Sequence, residues 1–202
     1  MDDGEFDRAV VSAVFEQAAV RGWAEVSLVE AARDAGLELT RVRARFPGKA
    51  AVLLRFGVIA DQAALAGAAV EGAARERLFD MLMNRFEALQ AHRAGIMALI
   101  AALRTDPAGA LLVYMATLRS MKWLLEAAGV PATGLTGQLR VHGLMALWVY
   151  ALRAWERDES ADLSSTMAAV DRGLDRAMQA ERGLPGRRAS SDKAAEPDFP
   201  PA

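Results

Sequence analysis

The densest group of side chains that could bind an anion lies between residues 39 and 49, in the sequence LTRVRARFPGK. Arg41, Arg43 and Arg45 alternate with apolar residues, Lys49 follows a Pro-Gly pair, and the segment contains no acidic residue. Guanidinium groups bind phosphates and the hydrogen-bonding edge of guanine, and lysine adds a point charge. The whole chain has a formal net charge of -2, so binding to a polyanion would depend on this local patch.

The alternation of arginines with apolar residues is also the pattern of a β-strand. A helix fits better, because the segment is short, lies between helical segments and has no partner strand. In a helix, Leu39, Val42 and Phe46 form one apolar stripe at spacings of three and four, and the polar residues lie on or beside the open face. So short a helix is not stable alone, and other helices must cover its stripe.

Two helices that could supply this cover are predicted earlier in the chain. Apolar residues recur at helical spacing from about Glu5 to Val20. The sequence SLVE, Ser27 to Glu30, is a capping-box pattern that starts a second helix, and Gly36 ends it. Three short helices with a glycine turn before the third describe a helix-turn-helix, whose third helix would enter the major groove of DNA.

The third helix and its C-terminal flank therefore supply the candidate contacts to double-stranded DNA. Ala44 is small enough to let the backbone approach the bases, and free amides beside Lys49 suit a phosphate. A cluster of arginines on a small helix can equally be a solvated face, and this alternative stays open. The candidate DNA-binding residues are Thr40, Arg41, Arg43, Arg45 and Lys49.

The rest of the chain is predicted to be helical as well. Apolar spacing is helical almost throughout from Ala74, with a break before Pro107, which Asp106 precedes as a helix N-cap. Nothing alternates over enough residues to build a sheet, so the predicted fold class is all-α. We expect a helix-turn-helix domain over residues 1–50, a larger helical domain over 51–182, and a disordered proline-rich tail over 183–202.

The larger domain offers candidates for a small-molecule site and for a subunit interface. Methionine and tryptophan line pliable apolar pockets, although they also fill cores. The helix around Leu144–Leu152 is apolar on all sides, which predicts burial in a two-fold interface with the last helix. The candidates for a lipophilic ligand are Met81, Met115, Arg119 and Trp123, and those for a homodimer interface are Gly143, Ala146 and Trp148.

The sequence contains no pattern typical of catalysis, of a cofactor site or of a metal site. It has no cysteine, and neither His92 nor His142 has a second ligand at helical spacing. Asp158 lies at a helix start, where an acid caps more often than it catalyses. The N-terminus is acidic, and no apolar stretch reaches the roughly 20 residues of a membrane span. We expect a cytoplasmic protein that is not an enzyme and has no integral membrane span.

The segment EVSLVEAARDAGLELTRVRARFPGKAAVL, residues 25–53, resembles the DNA-binding domain of the TetR family of transcriptional regulators. That family has a Phe-x-x-Lys after its recognition helix, which is Phe46 to Lys49 here. The resemblance implies a dimeric repressor that binds a palindromic operator and releases it when a ligand binds. Two positions depart from the family pattern: Glu38 replaces a small hydroxyl cap, and Arg43 replaces a tyrosine that commonly touches the DNA backbone.

A second resemblance, spread thinly over most of the chain, points to a different function. The sequences RGWAEVSLVEAARDAGL, HRAGIMAL and RDESADLSSTMAAVDRGLDRAM are similar to the accessory proteins of ubiquinone biosynthesis. These share the TetR-like fold but bind lipids and a partner enzyme rather than DNA. That family ends in an amphipathic membrane-binding helix, which the tail of this chain cannot form, and its counterpart of the third helix is not rich in arginine.

Overall fold

All of the secondary structure in the described residues is helical, which confirms the predicted fold class. The structure is a computed structural model that describes residues 1–66 and 72–183. The helices are α1 (Asp3–Arg21), α2 (Leu28–Asp34), α3 (Leu39–Arg45), α4 (Lys49–Ala66), α5 (Ala74–Gln90), α6 (Arg93–Leu103), α7 (Pro107–Ala127), α8 (Gly134–Trp155) and α9 (Ser164–Gly183). The predicted tail lies outside the described residues, except for Gly183. No helix in the described ranges is long and apolar enough to cross a membrane.

Local side-chain chemistry accounts for several of the helix starts. Asp106 caps α7 by accepting a hydrogen bond from the backbone N–H of Gly109, as predicted. Ser27 caps α2 through the N–H of Glu30, but its own N–H donates to the side chain of Gln17 on α1. The predicted capping box is therefore only half formed, because α1 supplies the second partner.

The last helix begins later than predicted, at Ser164 rather than near Ser160. Leu163 has a backbone φ of 55°, in the left-handed region, which interrupts the helix before it. Asp158 accepts hydrogen bonds from the N–H and the hydroxyl of Thr166 at 2.7 and 2.8 Å. Burial raises the pKa of Asp158, but these bonds and those from Ser160 outweigh burial and lower it to about 2. Asp158 is thus a capping residue.

The first three helices pack as the predicted three-helix unit. Val42 and Phe46 are buried and Leu39 is half-buried, so the apolar stripe of α3 faces the core. The other face of α3 is open to solvent. The arrangement gives a short helix a fixed position that its own residues could not maintain.

The remaining helices form a bundle in which α8 has one buried and one exposed face. Trp148 is buried and stacks on Phe86 of α5, with ring centroids 4.4 Å apart. Ala146 and Tyr150 of the same helix are exposed. One subunit therefore covers only the face of α8 that holds Trp148, and the burial of the other face in a two-fold interface remains a prediction.

Helix α6 packs directly against α1, so the bundle contacts the N-terminal three-helix unit at this point. Gly95 is buried at this contact, and a β-carbon built on it would lie 2.2 Å from the backbone oxygen of Phe15. His92, which precedes α6, stacks on the Phe15 ring at 5.5 Å and lies edge-on to Phe56 at 5.8 Å. The junction between α1, α4 and α6 is thus close-packed and aromatic.

Acidification is expected to destabilise this junction through His92. Burial lowers the pKa of His92 from 6.5, although the nearby charge of Glu16 opposes the shift. The histidine therefore binds a proton more readily in the unfolded chain than in the folded one. The contribution of neutral His92 to the free energy of unfolding is complete above pH 6.5 and is lost as the pH falls towards the pKa of the folded state. Urea unfolding between pH 7.5 and 5 measures this loss. His92→Asn should flatten the pH profile and His142→Asn, at an exposed position, should not; equal profiles for both variants would contradict the prediction.

Candidate nucleic-acid interface

The open face of α3 holds three of the residues that would approach DNA. Thr40, Arg43 and Ala44 are exposed, on the side opposite to buried Val42. Glu38 is the N-cap residue of α3 but makes no capping hydrogen bond, and its carboxylate accepts from the hydroxyl of Thr40 instead. The start of α3 therefore presents a negative charge and leaves its backbone amides without a side-chain cap.

Arg41 turns from the open face towards the N-terminus of α1. Its guanidinium pairs with the Asp3 carboxylate at 2.6 Å and donates to the backbone oxygen of Asp2 at 3.2 Å. The same group stacks over the Phe6 ring, 4.1 Å from its centroid. Hydrogen bonding from Arg41, followed by the charge of Arg45, lowers the pKa of Asp3. Arg41 is thus held by the first turn of α1.

Arg45 makes the most extensive contacts of the predicted DNA-binding residues. It donates twice to Asp7, at 2.6 and 2.8 Å, and once to Asp3 at 2.9 Å. Asp7 is buried and also pairs with Arg55 of α4 at 3.0 Å. Hydrogen bonding to Asp7 is the largest influence on Arg45 and raises its already high pKa. Arg45 and Asp7 therefore tie α3 to α1 and α4.

Lys49 is engaged with the protein backbone. Its ammonium donates to the carbonyl oxygens of Trp23 and Ala24, at 3.1 and 2.9 Å, and lies 5.8 Å from the Trp23 ring. These contacts hold the turn between α1 and α2 against the start of α4. Arg43 makes only one long hydrogen bond, 3.4 Å to the carbonyl oxygen of Pro47. Of the four predicted basic contacts, Arg43 is the one least committed within the chain.

The partners of these arginines are acidic residues of α1 that were not among the predicted site residues. Asp3 and Asp7 lie on one side of α1, about one turn apart, and both face α3. The signal present in the sequence is the acidic N-terminal segment MDDGEFD, whose charge is opposite to that of the arginine cluster. The result is a mixed surface, in which the positive charge of α3 is partly neutralised by α1.

The four residues expected to hold a lipophilic ligand are not brought together. Met81 is fully buried, whereas Met115, Arg119 and Trp123 lie exposed on the outer face of α7. Trp123 is 63% exposed. None of the four lines either of two cavities found among the described residues.

One of these cavities, the bundle cavity, lies between α4, α5, α6, α7 and α8 and is partly open to solvent. Its volume is about 150 Å³, and most of its lining is aliphatic. Two polar residues in its wall bind Asp61 of α4: Arg85 of α5 forms an ion pair with it, and the hydroxyl of Ser120 of α7 donates a hydrogen bond to it. Arg85 lies on the apolar stripe of α5, and an arginine at such a position is a sequence signal for a buried charge.

The second cavity is an open groove of about 660 Å³ between α5, α8 and α9. Gly143 lies at its edge and Ala146 on the same exposed side of α8, and a β-carbon on Gly143 would meet no atom within 4 Å. Trp148 faces the opposite way, into the subunit. Two of the three residues proposed for the dimer interface thus share a surface, and the third does not.

Solved structures of transcriptional regulators share this arrangement of helices. The TetR regulator from Nitrosomonas europaea has a TM-score of 0.71 at 23% identity, over 87% of this chain and 99% of the other. One from Streptomyces coelicolor has a TM-score of 0.61 at 21% identity, over 100% and 94%. A third, from a Rhodococcus species, has a TM-score of 0.55 at 17% identity, over 88% of this chain and 97% of the other.

Comparisons based on sequence find no match. No family model matches the chain, and no curated protein does. The likeness is therefore one of structure, spread over nearly the full length of each of the three neighbours. The chain has the fold of the TetR transcriptional regulators.

Proposed function

We propose that the protein is a one-component, ligand-responsive transcriptional regulator that binds DNA as a homodimer. Residues 1–50 would form the DNA-binding domain and residues 51–182 the ligand-binding and dimerisation domain. The observation that carries the proposal is the position of α3, whose apolar stripe is buried while Thr40, Arg43 and Ala44 are exposed. A helix held in this way can enter a major groove with its polar side chains towards the bases.

The exposed face of α8 supports a homodimer. Leu135, Leu139, Gly143, Ala146 and Tyr150 follow one another at spacings of three and four on this face, and all are exposed. Leu135 is 81% exposed, which is a large apolar area to leave in water. A two-fold packing of α8 and α9 against a second copy would cover this stripe. It would place two α3 helices on a palindromic operator, about 34 Å apart.

The route from ligand to DNA would pass through α4. This helix follows directly on the DNA-binding segment at Lys49, and it lines the bundle cavity at Leu53, Phe56 and Gly57. A ligand that changes the packing around α4 would change the spacing of the two α3 helices and release the DNA. The protein would then act as a repressor.

A lipid-binding accessory protein without DNA binding is the second candidate. Arg41, Arg45 and Lys49 are all bound to groups of the same chain, and Asp3 adds negative charge beside α3. This pairing would leave little free positive charge for a phosphate backbone. The accessory function predicts no salt-dependent DNA binding above background.

Arg43→Ala is expected to weaken DNA binding about tenfold, because Arg43 is the exposed and least engaged basic residue of α3. If it contacts a phosphate, the slope of log affinity against log salt should fall by about 0.9 per subunit. Fluorescence anisotropy with the DNA upstream of the protein's own coding region, at two salt concentrations, measures both effects.

Arg119→Ala is the matched control, since Arg119 is an exposed arginine on α7, outside both the DNA-binding segment and the face of α8 and α9 proposed for the dimer. It removes the same charge and should leave the affinity unchanged. Equal effects of the two variants would show only a general influence of net charge. Flat titrations of the folded wild-type protein at low salt would contradict the regulator and favour the accessory function.

A further inference from the structure

The bundle cavity is lined mainly by aliphatic side chains but has one charged group in its wall. The aliphatic lining includes Leu53, Leu89, Ile96, Leu99, Leu112 and Leu152. Arg85 is only 5% exposed and lies over the Trp148 ring, 5.1 Å from its centroid. A buried guanidinium is costly unless all of its hydrogen-bond donors find partners.

The partners that Arg85 has within the chain are incomplete. Its guanidinium forms an ion pair with Asp61 of α4, and Asp61 also accepts from the hydroxyl of Ser120 of α7 at 2.7 Å. The Nε atom of Arg85 is buried and has no hydrogen-bond partner. Burial lowers the pKa of Arg85 to about 10, so the group stays charged at neutral pH.

We propose that this cavity binds a small organic acid, with its carboxylate on Arg85 and its apolar body among the aliphatic side chains. The carboxylate would accept from the guanidinium, which offers five donors in a planar fork and has one buried donor unused. The proposal names a ligand class for the regulator proposed above, and its regulatory step rests on that function.

The size of the cavity limits the body of the acid. Its volume is about 150 Å³, and an apolar cavity of about that volume holds a molecule the size of benzene. Benzoate or a short branched acid fills this volume, whereas the end of a long acyl chain would extend beyond it into solvent.

The same arginine would couple the ligand to α4. Arg85 lies on α5 and Asp61 on α4, so their ion pair joins the helix that follows the DNA-binding segment to the bundle. A ligand carboxylate competes with Asp61 for Arg85 and weakens this link. Binding of the acid would thus loosen the position of α4, which is the change that the repressor requires.

The test compares benzoate with benzyl alcohol, which has a ring of the same size but no charge. Isothermal titration of the full chain at pH 7.5, without DNA, should show benzoate binding at least about tenfold more tightly, as a charge-assisted contact to a buried guanidinium predicts. Equal affinities would overturn the assignment of Arg85. If dodecanoate bound more tightly than benzoate, the proposed limit on the size of the acid would be overturned.

Two substitutions locate the contact. Arg85→Gln should weaken benzoate at least about tenfold and leave benzyl alcohol within about twofold, because only the charged contact is lost. Asp61→Asn keeps Arg85 but removes its competitor, so benzoate should bind several times more tightly. If Arg85→Gln does not fold, Asp61→Asn decides: unchanged or weaker benzoate binding would overturn the proposal.

The regulatory step is measured separately, by titrating operator DNA with and without benzoate. We expect benzoate to lower the DNA affinity of the wild-type protein. The loss should be smaller in Asp61→Asn, because the ion pair between α4 and α5 is already weakened there. Benzoate binding without DNA binding would leave the ligand class standing and overturn the regulator. DNA binding that benzoate does not change would overturn the regulatory step alone.

Discussion

Gly95→Ala is expected to destabilise the protein by about 2–3 kcal/mol, because the added methyl group has no space at the contact between α6 and α1. The new β-carbon would lie 2.2 Å from the carbonyl oxygen of Phe15 and 2.8 Å from its carbonyl carbon. These are backbone atoms, so no side-chain rotation can relieve the overlap, and the two helices must separate. Urea unfolding at neutral pH measures the free energy of unfolding of the variant.

Gly57→Ala is the matched control for this substitution. Gly57 is also inside a helix, and a β-carbon built on it meets no other atom within 4 Å. Alanine there should stabilise the protein by about 0.5–1 kcal/mol through its higher helix propensity. The two glycines differ only in their surroundings, so equal stabilities of the two variants would contradict the close approach of α6 to α1.

Asp3→Asn is expected to tighten DNA binding about tenfold at low salt and to steepen the salt dependence by about 0.9 per subunit. The substitution removes the carboxylate that pairs with Arg41 at 2.6 Å and with Arg45 at 2.9 Å. Arg45 keeps both of its bonds to Asp7, so Arg41 is the residue released towards a phosphate. The gain should be similar on operator and scrambled duplexes, because phosphate contacts carry no sequence information.

Glu16→Gln gives the control for charge. Glu16 is further along α1, where its carboxylate accepts from the hydroxyl of Ser12 at 3.0 Å. The same change in net charge there should leave DNA affinity unchanged. A loss of affinity in Asp3→Asn would reverse the interpretation, since Asp3 would then hold Arg41 in the orientation that DNA needs.

Lys49 illustrates why a basic residue beside a motif does not by itself indicate a contact to DNA. Its position after the third helix was predicted, and it does lie at the first turn of α4. Its ammonium is nevertheless bound to the carbonyl oxygens of Trp23 and Ala24, which are 26 and 25 residues away in the chain. Nothing in the local spacing indicates such partners.

The sequence by itself determined the helices and the face of α3 that is buried. These features depend on local chemistry: Asp106 and Pro107 start α7, and Leu39, Val42 and Phe46 are spaced to form one stripe. The helical periodicity of the remaining segments was enough for the fold class. It could not set every boundary, since α9 begins only after the left-handed Leu163.

Only the tertiary structure decided which charges are free and where the cavity lies. Asp3 and Asp7 meet Arg41 and Arg45 across 38 or more residues of chain, and Arg85 meets Asp61 between two helices. Such pairs depend on how helices cross, which hydrophobic spacing along one helix does not specify. For the same reason, Trp123 is exposed and Trp148 is buried, although both are tryptophans in apolar helices: the bundle covers one face of each helix and leaves the other open.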